Sequence, residues 1–120
     1  MRYIPICLTV LSLAGCATVK HYESPSQAFR FEGDSKTTTI TGRVDHKYGW
    51  KYEFQLHVFF DGQKVLEGPL DEHANGDVIG QEWKGKKVSA SCSTRKVSSS
   101  WNETRCMVFH GNERTVTLTF

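Results

Sequence analysis

Tyr52-Glu53-Phe54-Gln55-Leu56-His57-Val58-Phe59-Phe60-Asp61-Gly62-Gln63-Lys64-Val65-Leu66 is the stretch whose pattern decides the fold. Tyr52, Phe54, Leu56, Val58 and Phe60 alternate with Glu53, Gln55 and His57. A period of two places the first set on one face of a strand and the second on the other. Asp61-Gly62 follows at once, the dipeptide favoured where both central residues of a hairpin turn take a positive φ. Gln63 to Leu66 then begins the return strand.

The same period extends outward in both directions. Upstream, Ile40, Gly42 and Val44 share a face and are separated by polar residues. Downstream, residues 67–76 hold Gly68, Pro69, Asp71, Asn75 and Gly76 and read as a loop. Val78 to Trp83 reads as a short strand turned by Gly85. Val88, Ala90 and Cys92 line one face of the next strand, and Ser98 to Asn102 a polar loop. Cys106, Val108 and His110 alternate with Met107 and Phe109. A turn at His110 to Glu113 leads into Val116, Leu118 and Phe120. No stretch carries a 3.6-residue period. About seven short strands with frequent turn signals predict an all-β fold, a small antiparallel immunoglobulin-like β-sandwich.

Composition sets bounds on function. The 120 residues suffice for one small domain, and 15 basic against 13 acidic residues leave a net charge of +2. That balance gives no clustered basic face of the kind nucleic acid requires. The knot at Lys84, Lys86 and Lys87 reads as a solvated turn. No phosphate-binding glycine loop and no GxSxG nucleophile turn occur, and the five histidines include no HxH pair. Asp71-Glu72-His73 lies in a loop and reads as a solvated turn rather than a cation site. The reading therefore assigns no cofactor, no metal and no catalytic residue.

The amino terminus, MRYIPICLTVLSLAGC, supplies Arg2, then an apolar run from Ile4 to Leu13. At about ten residues this run is too short to span a bilayer but suits the core of an export signal. Leu13-Ala14-Gly15-Cys16 closes it and resembles the lipobox of bacterial lipoproteins. The resemblance covers the signal segment alone. It implies removal of residues 1–15, a diacylglycerol on the Cys16 thiol and an acyl chain such as palmitate on its amino group. Two or three chains at about 0.8 kcal/mol per buried methylene form a stable membrane anchor. By the same resemblance, Ala17 in place of an aspartate implies the periplasmic leaflet of the outer membrane.

The cysteine count then resolves. Cys7 leaves with the signal and Cys16 is lipidated, which leaves Cys92 and Cys106 as an even pair in an oxidising compartment. Their disulfide closes a ring of about 15 residues, with a stabilisation of roughly 3 kcal/mol. It joins either neighbouring strands or facing sheets. Residues 16–35 are polar, contain Pro25 and read as a lipidated tether of roughly 25 Å as a coil, able to lift a domain at 36–120 off the headgroups. Phe29 and Phe31 are placed to pack back on that domain as a first edge strand.

Phe59, Met107 and Phe109 fall opposite the core face of their strands, and Trp50 and Trp101 in or beside polar loops. The three first-named residues form a candidate partner patch. The leading expectation is a non-enzymatic binding or accessory module of the cell envelope. Its partners are the membrane, through the anchor, and another envelope protein or a cell-wall component. An exclusion or inhibitor lipoprotein of prophage or plasmid type is an alternative. A cell-wall-active enzyme is another, and it would require titratable groups converging in a cleft.

Overall fold

A computed structural model describes residues 18–48 and 53–120. Cys7, the Leu13–Cys16 motif, Trp50 and Tyr52 lie outside the described residues. These form nine strands and no helix: β1 (Thr18–Glu23), β2 (Gln27–Phe29), β3 (Thr38–Tyr48), β4 (Glu53–Phe60), β5 (Gln63–Leu70), β6 (Gly76–Trp83), β7 (Lys86–Ser98), β8 (Trp101–His110) and β9 (Glu113–Thr119). Two antiparallel sheets pack as a sandwich. The first has the order β1-β3-β4-β5, with β2 also on β3, and the second the order β6-β7-β8-β9.

The quoted stretch forms the β4–β5 hairpin. Asp61 and Gly62 have φ of 50° and 82°, the two positive values of a type I′ turn. Gly62 adopts its value without a Cβ penalty, and its twist matches that of the flanking strands. The Lys84-Gly85 turn between β6 and β7 repeats the geometry. Leu56, Val58 and Phe60 enter the core with no solvent exposure, as the alternation requires. They meet Ile40 and Val44 from β3, Val65 and Leu66 from β5, Val88 and Ala90 from β7, Val108 from β8 and Leu118 from β9.

Cys92 and Cys106 are joined by a disulfide and lie directly opposite each other on β7 and β8. The bridge therefore links neighbouring strands and not facing sheets. Each sheet is built largely from consecutive hairpins, with β1–β5 in one and β6–β9 in the other. An immunoglobulin-type sandwich exchanges strands between its sheets. The likeness here is one of layers and not of connections.

Residues 18–35 depart most from the sequence expectation. In place of a free tether, β1 pairs with Arg43 to Tyr48 of β3, while β2, ending at Phe29 where an edge strand is expected, pairs with Thr38 to Ile40. The two segments share one edge of β3 and are interrupted at Ser24-Pro25-Ser26. Pro25 cannot donate to a ladder. Ser24 bridges the break, donating its N–H to the Gly42 carbonyl and accepting from the Gly42 N–H at 3.0 Å. All six residues of β1 are exposed, so its sequence lacks the apolar alternation by which a strand is recognised. Backbone pairing to an open sheet edge creates this strand, not burial. Phe31 beyond β2 is buried and stacks edge-on against His110 at 4.8 Å. Residues 67–70, expected as loop, complete β5.

Candidate functional site

The inward row of each central strand changes character at the same level. On β7 the inward residues run Val88, Ala90, Cys92 and then Thr94 and Lys96; on β8, Val108, Cys106 and then Thr104 and Asn102. These sit in register as Ala90–Val108, Cys92–Cys106, Thr94–Thr104 and Lys96–Asn102. Across the sandwich, Val44 of β3 pairs with Leu56 of β4, and the next inward pair is His46 with Phe54. Beyond the disulfide the facing rows are thus polar on one sheet and aromatic on the other. Polar side chains cannot be buried there without partners, so the sheets part.

The gap is an open cleft of about 630 Å³. Its aromatic wall comprises His46 and Phe54, stacked at 4.0 Å and 16° between planes, and Tyr48, whose ring centre lies 4.1 Å from that of His46. Burial lowers the His46 pKa from the ordinary imidazole value and nearby Lys20 lowers it further. The opposite wall carries Thr94, Lys96, Asn102, Thr104 and Trp101, which is 55% exposed. The Thr94 and Thr104 hydroxyls bond each other at 2.7 Å, and Asn75 Oδ1 accepts from the Thr94 N–H at 2.6 Å. These bonds fix the wall. The rim is the turn after β5, where Asp71 Oδ1 accepts from the N–H groups of His73 and Asn75. Those two bonds hold the Asp71 carboxyl below the usual carboxylate range. Its role in this turn is conformational.

A second cluster lies on the outer face of the first sheet. Asp45 accepts from Arg43 Nε at 2.9 Å, and its Oδ1 is 2.6 Å from His21 Nδ1 on β1. His57, between Arg43 and Glu67 in register, places Nε2 3.0 Å from Asp45 Oδ2. That approach is off the line of a hydrogen bond, and both ring nitrogens are buried without one. The sequence places His57 on a polar surface. The face is right, but the ring is only 5% exposed. Burial depresses its pKa, with Asp45 opposing the shift. Burial also pulls the Asp45 carboxyl upward, but bonds from His21 and Arg43 and the charges of Arg43 and His57 outweigh it. His57 and Asp45 do not line the cleft. His110 is buried in the core against Phe31, its Nε2 bonded to the Trp83 carbonyl oxygen. Among the described residues, the histidines that line the cleft are His46 and His73, the latter with Nε2 3.8 Å from Glu72 Oε1.

The expected partner patch does not form as one surface. Phe59 is on the first sheet, half-buried with the Arg43 guanidinium 5.9 Å over its ring. Met107 and Phe109 are half-buried on the second sheet, where Arg114 Nη1 donates to Met107 Sδ at 3.7 Å. Each alternates with core residues and so faces outward from its own sheet, on opposite sides of the sandwich. A period of two tells inward from outward within a strand, but not which strands share a sheet. The cleft was readable in part: Thr94, Lys96, Asn102 and Thr104 continue the inward alternation of β7 and β8 past the cysteines.

No family model matches the chain, and neither does any curated protein or solved structure.

Proposed function

We propose that this chain is a lipid-anchored, non-enzymatic binding module of the bacterial cell envelope, attached through Cys16, with the cleft as its binding seat. The observation that carries the reading is the parting of the sheets beyond Cys92–Cys106, which leaves His46, Phe54, Tyr48 and Trp101 around an open, polar-walled gap. Aromatic rings combine large apolar contact area with few rotatable bonds, so they bind at low entropic cost. Lys96 and Asn102 supply donors that orient what lies between the walls. The partner is another envelope protein or a cell-wall component.

A photo-crosslinking amino acid at Trp101, in the native lipoprotein in living cells, tests this. A discrete adduct absent when the crosslinker replaces Ile79, which is 71% exposed on the second sheet, supports the cleft as the seat. Identical adduct patterns from the two positions count against it. Anchoring is tested separately, since Cys16→Ser must abolish incorporation of a fatty-acid probe.

A further inference from the structure

Two positions separate Cys16 from Thr18, so their Cα atoms are at most about 7 Å apart. Thr18 is already the first residue of β1, held to Tyr48 at the end of β3. An acyl anchor on Cys16 therefore fixes the Tyr48 end of the first sheet at the headgroups, with no free tether between. This step rests on the Cys16 anchor. The same end carries the cleft, which both Tyr48 and Trp101 line. Among the described residues, five large hydrophobic side chains are exposed, and three of them are Val19 beside Thr18 and Val97 and Trp101 at the β7–β8 tip. Lys20, Lys47 and Lys96 stand exposed among them.

We propose that this end of the domain lies against the anchoring leaflet, with Val19, Val97 and Trp101 seated in the headgroup zone and the mouth of the cleft opening onto the bilayer surface. Tryptophan and tyrosine favour that zone because their rings are apolar at one end and polar at the other. Lysine stems cover apolar surface there while their ammonium groups reach the lipid phosphates. The occupant of the surface is the phospholipid headgroup layer itself. Whatever the cleft binds then meets it in the plane of the membrane rather than deep in the periplasm.

The test uses the full acylated protein with one added cysteine, V97C or I79C, labelled with an environment-sensitive nitrobenzoxadiazole fluorophore. Cys16 is acylated in this protein and Cys92 and Cys106 are bonded to each other, so the added thiol takes the label. The protein is reconstituted into phosphatidylcholine vesicles containing lipids spin-labelled near the headgroup. The expected result is a blue-shifted V97C signal quenched at least about twofold more than I79C, as for a group seated in the interface. Flotation with the vesicles but equal quenching at the two positions overturns the proposal and leaves the anchor standing. Failure to float overturns the anchor and this proposal together.

Discussion

Leu118 of β9 lies directly over Gly42 of β3: a Cβ built on Gly42 would be 2.6 Å from Leu118 Cδ1 and 2.9 Å from Phe120 Cζ. The two sheets touch backbone to side chain at this point. Leu118 has no exposed surface and cannot retreat into solvent. Gly42→Ala should therefore overpack the core and lower stability by about 1–3 kcal/mol, measured by urea unfolding. Combined with Leu118→Ala, which alone opens a core cavity, it should cost less than the sum of the two single changes, because the smaller side chain vacates the clash. Strict additivity of the two changes would argue against this contact.

That contact also marks how far the sequence could be read. The inward rows Ile40-Gly42-Val44 and Leu56-Val58-Phe60 were legible from a period of two, and the β4–β5 turn from Asp61-Gly62. The pairing of Gly42 with Leu118 across the core was not. Alternation sorts residues by face but says nothing of which strand lies opposite. The same gap separated Phe59 from Met107 and Phe109. β1 was hidden for a different reason: with every residue exposed, Thr18–Glu23 has no apolar face to betray a strand. The cleft was half legible, in the polar residues that continue β7 and β8 beyond the disulfide. Its aromatic wall depends on the register of β3 against β4, set by folding and not by local pattern.

The Cys92–Cys106 disulfide closes a ring of about 15 residues, which restricts the unfolded chain. Cys92→Ala with Cys106→Ala should cost roughly 3 kcal/mol, a large share of the stability of a domain this small. Both sulfurs sit in the core at the level where the sheets begin to part. Equilibrium denaturation of the double variant, with and without reductant, checks this. An unchanged midpoint would mean the β7–β8 ladder restrains the unfolded chain without the bridge.

Trp101 should separate binding from folding. Its side chain is 55% exposed at the cleft and makes no contribution to the buried core. Trp101→Ala should change stability by no more than about 0.5 kcal/mol. At a binding anchor, the same truncation costs at least about 2 kcal/mol of affinity, a loss of roughly thirtyfold. Thermal melts of the variant, beside its recovery of the partner through a crosslinker placed instead at Lys96 of the same cleft, distinguish the two effects. Loss of the melt together with the adduct would make Trp101 structural.

The outer-face cluster should give the domain two separate acid limbs. Burial holds the folded pKa of His57 below the ordinary imidazole value of 6.5. The folded state therefore resists a proton that the unfolded chain accepts, and its stability is greatest above pH 6.5. It declines as pH falls through 6.5 toward the lower folded value. Asp45 acts in a more acidic window. Hydrogen bonds from His21 and Arg43 prevail over burial and hold its folded pKa below 3.8. Its contribution is intact above 3.8 and is lost as pH falls through the folded value. His57→Gln should shrink the first limb to the part that His46, whose pKa burial also lowers, supplies, and should leave the second. Asp45→Asn should lower stability above pH 3.8, where the carboxylate contributes, and abolish its decline below that pH, while the first limb is kept because the uncharged amide no longer offsets the burial of His57. Unfolding midpoints of the three proteins across both windows, from above 6.5 to well below 3.8, resolve the limbs. A first limb of unchanged size after His57→Gln would assign it to His46 alone.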